Sequence, residues 1–251
     1  MDITSAAEQP QSYRSQLTRT ASGDLSRTLL EASRKINDGQ RVKAQSYRVY
    51  LPPQQTIGMK KMSKDQLSQF PVPEISDLPE DIRERILAVQ EKAGFVPNVF
   101  LALAHREHEF RAFFAYHDAL MEKDEGLSKA EREMIVVATS GLNQCLYCVV
   151  SHGAILRIRA KNPLLSDQLA TNYRKADINQ RQRHMLDYAI KVSRNAELVD
   201  EEDHGHLINQ GFSIDEIWDI GAIAALFALS NRIANMAAIR PNEEFHGMGR
   251  N

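Results

Sequence analysis

The sequence predicts an all-α fold. Apolar residues recur at helical spacing from about residue 80 to the C-terminus. The capping boxes Ser128–Glu131 and Ser213–Glu216 each open an apolar run. No pair of alternating runs joined by a turn such as Asn-Gly reads as a β-hairpin.

Residues 1–65 read as a flexible N-terminal extension, and residues 66–251 as one helical domain. The extension has few large apolar groups. It carries one helical patch from Leu25 to Ile36, and Pro52 and Pro53 break any element near them. Pro71, Pro73 and Pro79 make an extended lead-in. A helix then starts near Pro79, with Ile82, Ile86, Leu87 and Val89 as its inner face and Gly94 as its end. Residues 100–121 read as one or two helices, with Phe100, Leu103, Phe110, Phe113, Phe114, His117 and Leu120 facing inward.

The next helix runs from the Ser128 box through Met134, Ile135, Val137 and Ala138 to a C-cap at Gly141. Asn143 is placed to cap a second helix that reaches Ala160 and stops before Pro163. Shorter helices are expected over 166–173, 179–195 and 200–210. The last helix, 214–239, is apolar on almost every side. It therefore belongs in a core or in an oligomer interface. Core is also the first expectation for its Trp218 and Phe227, and its polar Asn231 and Arg232 need partners.

A net charge of -2 over 251 residues gives no pull towards nucleic acid or anionic lipid. No run of 18 or more apolar residues suggests a membrane span, and the N-terminus has no apolar signal region. Two cysteines do not build a secreted disulfide scaffold. The expected address is cytoplasmic, with the mitochondrial matrix as the alternative.

Both cysteines lie in "NQCLYCVVSH", Asn143 to His152. On a helix, Cys145, Cys148 and His152 fall within about 60° of one another. Free N–H groups at a helix start favour a thiolate there. His152, one turn beyond Cys148, can take its proton directly or through a water. Glu133, twelve residues before Cys145, lies on the preceding helix and can orient the imidazole; Glu131 competes but is bent back by its capping box. A haem clip needs histidine directly after the second cysteine, and Val149 stands there. A zinc site at Cys145, Cys148 and His152 lacks a second ligand pair. That reading and an inert packed pair stay open beside thiol–disulfide chemistry, which the helix position favours.

Glu133, Cys145, Cys148 and His152 reproduce the E-x11-C-x2-C-x3-H pattern of the alkylhydroperoxidase D-like family, within the carboxymuconolactone decarboxylase superfamily. "AGFVPNVFLALAH", "NQCLYC" and "SNRIAN" resemble its peroxidase-related branch. The resemblance covers residues 70–250. It implies an alkylhydroperoxidase D-like helical bundle that forms homo-oligomers (dimer, trimer or hexamer) and a thiol peroxidase without cofactor or metal. Cys148 would attack a hydroperoxide, His152 would deprotonate it with Glu133 behind, and Cys145 would close a disulfide. A dithiol or thioredoxin-like donor would reduce that bond. The chain departs from well-studied members at Tyr147, where they carry a histidine assigned to the proton relay. The resemblance also suggests that "GFVPNVF" lines the thiol pocket.

Overall fold

The computed structural model describes residues 66–250, and the expected N-terminal extension with its Leu25–Ile36 helix lies outside them. The described residues form ten α-helices and three short 3-10 turns, with no strand among them. In chain order the helices are α1 (Glu80–Ala93), α2 (Asn98–Leu103), α3 (Glu107–Met121), α4 (Lys129–Leu142) and α5 (Leu146–Ala160). They continue as α6 (Leu165–Asn172), α7 (Gln180–Asn195), α8 (Glu201–Asn209), α9 (Ile214–Met236) and α10 (Glu244–Gly247).

α4 is the axis of the bundle, packing on α5, α6, α7 and α9. Both expected capping boxes form: Ser128 with Glu131 opens α4, and Ser213 with Glu216 opens α9. Asn179 with Gln182 and Asp200 with Asp203 cap α7 and α8 in the same way. Each box satisfies two amides that a helix start leaves free. Ile135, Leu156, Met185, Leu186, Ile220, Ile223 and Phe227 meet in the main core, each no more than 1% exposed.

Four local expectations are corrected. Gly141 is not a C-cap; α4 runs on to Leu142 and is capped by Asn143. The glycine is needed because α6 crosses there, so close that a Cβ would lie 2.6 Å from the Ala170 carbonyl oxygen. Asn143 therefore does not open α5; Cys145 is its N-cap. Trp218 is not core: it is 72% exposed, on an outer stripe of α9 with Ile214, Leu229 and Met236. Phe227, on the opposite side, is buried. By length and composition α9 is apolar enough to cross a membrane, yet over half of it is buried against the other helices. On α1, Ile82 and Ile86 are buried, whereas Leu87 faces outward about 100° round the helix.

Two smaller clusters flank the main core. Ile82, Ile86, Phe110 and Phe114 bind α1 to α3, with Phe100 stacked on Phe114 at a centroid distance of 4.3 Å. The other cluster contains both cysteines, Tyr147, Ala102, Ala234, Ala237 and Ile239, with Leu67 and Val99 against it.

Candidate active site

Three segments converge at the start of α5. α4 turns into it through Asn143 and Gln144, and Gln144 takes a left-handed φ of 52° to make that corner. The end of α9 lies alongside, and the 94–104 segment covers the site through Val99 and Ala102. Cys145 and Cys148 are both free thiols, 0% and 2% exposed. A cleft of about 380 Å³ between α4, α6 and α7 contains neither.

The pair gives up one proton easily and holds the other. The Cys148 S–H bonds the Cys145 sulfur and, against burial, brings the Cys145 thiol down to about 7; the Cys148 and Tyr147 amides and the Asn231 side chain act in the same direction. Those amides are the free donors of a helix start, so the N-cap position of Cys145 suits a negative charge. The same bond holds the Cys148 thiol well above its ordinary value, with burial and the Cys145 charge adding to it. The favoured thiolate is thus on Cys145 while Cys148 keeps its proton.

His152 and Glu133 meet as expected. The imidazole Nδ1 lies 2.8 Å from Glu133 Oε2, and the carboxylate is 2% exposed. The carboxylate's other oxygen accepts from Arg159 Nη1 at 3.1 Å, and Arg159 Nη2 reaches Glu122 at 3.1 Å. Glu131 is committed to its capping box and to Arg181, so it is not the partner. The His152 ring stands edge-on to Phe227 at 4.8 Å, with His117 6.5 Å away. Among the described residues, His152 hydrogen-bonds Glu133 and neither sulfur. No group of three His, Cys, Asp or Glu side chains among them converges as a metal site.

Residues 108–163, which contain all four of these side chains, match the carboxymuconolactone decarboxylase family. A solved structure with an alkylhydroperoxidase AhpD core, an uncharacterized peroxidase-related protein from Ralstonia eutropha JMP134, is 64% identical, with a TM-score of 0.73 over 74% of this chain and 98% of that one. The chain belongs to the alkylhydroperoxidase D-like branch of the carboxymuconolactone decarboxylase superfamily. A second solved member, an uncharacterized peroxidase-related protein from Silicibacter sp. TM1040, is 39% identical, with a TM-score of 0.70 over 77% of this chain and 100% of that one. The debrominase Bmp8 shares the fold at 18% identity and a TM-score of 0.57, covering 72% of this chain and 94% of that one. No curated protein matches.

Against the family pattern, Tyr147 is a structural tie. Its hydroxyl accepts from the Val99 N–H at 3.1 Å, and burial pushes the phenol up, so it stays neutral. It pins "GFVPNVF" to the cysteine helix, and through Val99 that segment packs against the cluster that holds the thiols. Two contacts escaped the family pattern. Ser230 Oγ lies 3.8 Å from Cys148 Sγ, and fully buried Asn231 joins α9 to Ser140 and Asn143. The signal was the polar "SN" inside an apolar helix. Arg232 is different: it is exposed and bonds its own helix at Ala228.

Proposed function

We propose that this protein is a thiol-dependent peroxidase that reduces hydroperoxides through a Cys145–Cys148 dithiol/disulfide cycle, without metal or cofactor. The observation that carries the reading is the pair of free, buried thiols in the first turn of α5, Cys145 at its N-cap, with His152 held by Glu133 one turn beyond Cys148. The peroxidase-related names of the two closely similar structures support the same reading.

Cys148 gives its proton to His152, directly or through a water, and Glu133 holds the imidazolium. The sulfur attacks one peroxide oxygen, the O–O bond breaks, and the departing alkoxide takes a proton to leave as an alcohol. Cys148 is now a sulfenic acid. Cys145 attacks that sulfur and the hydroxyl leaves as water, closing the disulfide. An external dithiol, such as a thioredoxin-like protein, restores both thiols and is itself oxidised to a disulfide. Val99 and Ala102 pack with the cluster that buries both cysteines, so their segment must move aside for a protein donor. A cytoplasmic setting and assembly into homo-oligomers belong to the same proposal.

The N-cap position of Cys145 favours a second assignment, in which Cys145 attacks and Cys148 resolves. Trapping the sulfenic acid in Cys145→Ser and Cys148→Ser proteins separates the two: the adduct forms only on the variant that keeps the attacking thiol. Peroxide consumption with a dithiol donor tests the function itself. If the disulfide forms but turnover is negligible, the chain is a redox-responsive or scaffold protein of the same fold.

A further inference from the structure

We propose that Ser230 and Asn231, neighbours on α9, are catalytic residues that hold the sulfur charge of the dithiol site. The proposal rests on the dithiol reading above but not on the peroxide as substrate.

A serine or threonine buried in a helix usually turns its hydroxyl back to a carbonyl one turn earlier. Thr139 bonds the Ile135 carbonyl oxygen in this way at 2.8 Å, and Ser151 bonds that of Tyr147 at 2.9 Å. Ser230 does not. Among the described residues its hydroxyl has no carbonyl partner, and it is turned towards Cys148 Sγ, 3.8 Å away. The hydroxyl is therefore placed for the sulfur rather than for its own helix.

Asn231 is 0% exposed and its amide is anchored at both ends. Nδ2 donates to Ser140 Oγ at 2.9 Å, and Oδ1 accepts from Asn143 Nδ2 at 2.9 Å. Asn143 is held in turn, its carbonyl oxygen accepting from Asn235 Nδ2 at 3.3 Å. A primary amide has two N–H donors, and only one has an oxygen partner. Asn231 lies on the side of α9 that carries Ser230 and Ala234 against the cysteines, so a sulfur anion is the acceptor its second N–H can serve. The Asn231 side chain accordingly favours the charged form of both thiols, and the Ser230 hydroxyl that of Cys148.

These donors matter because, among the described residues, no Lys, Arg or His side chain hydrogen-bonds either sulfur, and the neighbouring Tyr147 phenol stays neutral. Apart from the α5 amides, Ser230 and Asn231 supply the donors, fixed in place before the charge develops. The same donors serve whichever sulfur carries the charge, so both assignments of the attacking cysteine need them.

The test is a thiolate titration of the full-length reduced protein by ultraviolet absorbance, with iodoacetamide alkylation located by mass spectrometry. Asn231→Leu should raise the first midpoint by about one unit and cut alkylation at neutral pH about fivefold. Asn231→Asp, of the same shape, should raise it further because its carboxylate repels the thiolate. In a Cys145→Ser background, Ser230→Ala should raise the Cys148 midpoint; it removes a single oxygen and decides the Ser230 claim even if the Asn231 variants do not fold. Unmoved midpoints in folded variants overturn the proposal. The titration needs no turnover. Shifted midpoints in a protein that consumes no peroxide would retain the donor pair and remove the peroxidase reading; unmoved midpoints with normal wild-type turnover would do the reverse.

Discussion

Replacing Glu133 with glutamine probes the proton path while keeping the shape of the site. Glu133 accepts from His152 at 2.8 Å on one oxygen and from Arg159 at 3.1 Å on the other, at 2% exposure. An amide has one oxygen for two donors. If the glutamine oxygen stays on Arg159, its NH2 faces His152 Nδ1. The imidazole must then carry its proton on Nε2, the nitrogen needed to receive the thiol proton. If the oxygen faces His152 instead, Arg159 meets an NH2 and keeps only Glu122. Either way one charge-assisted bond is lost, which costs roughly 2 kcal/mol. For a domain of this size that lowers Tm by roughly 4–8 °C. Misplacing the proton acceptor should cost about 100-fold in the chemical step, within the usual span of general-base effects. The assay mixes reduced protein with one equivalent of hydroperoxide, quenches with acid and follows disulfide formation by mass. A Glu133→Gln protein that melts as expected yet forms its disulfide within about twofold of the wild-type rate would refute the role of the His152–Glu133 pair.

Gly141→Ala should lose roughly 1–3 kcal/mol in thermal or urea unfolding, because its Cβ would lie 2.6 Å from the backbone oxygen of Ala170 and α4 and α6 must part; a gain in stability from better helix propensity would contradict that crossing. Tyr147→Phe should cost about 1–2 kcal/mol by orphaning the Val99 N–H. It should leave the pH midpoint of cysteine alkylation in place, and a displaced midpoint would return Tyr147 to the proton path. Alkylation of the reduced protein should rise through a pH of about 7, where Cys145 loses its proton. Stability follows the same group. Its folded value lies below its ordinary 9.0, so its contribution is fully present above about 9 and is lost as pH falls to about 7. Urea midpoints should therefore rise between those values in the reduced protein, and less in Cys145→Ser.

Much of this architecture was legible because local chemistry specifies it. Ser128–Glu131 and Ser213–Glu216 mark helix starts by a reciprocal hydrogen bond that needs no tertiary partner. Glu133 and His152 could be paired from spacing, since two helices joined by a tight turn bring those positions together. What sequence missed depends on contacts between distant segments. Gly141 resembles a C-cap until α6 is known to cross it. Asn143 resembles an N-cap, yet its side chain is bound to Asn231, 88 residues away. Trp218 resembles core because hydrophobicity cannot say which side of an apolar helix meets solvent. Ser230 acquires a role only when α9 is laid beside α5.

The central claim, a dithiol that converts one hydroperoxide to an alcohol, is tested most directly by a single turnover without external donor. Reduced wild-type protein should consume one equivalent of hydroperoxide, release one of alcohol and lose two hydrogens in mass, with a peptide map joining Cys145 to Cys148. Cys148→Ser and Cys145→Ser proteins should form no such bridge, and the variant keeping the attacking thiol should stop at a sulfenic acid. Peroxide consumption that survives unchanged in both variants, or wild-type thiols that stay reduced while peroxide disappears, would contradict the account.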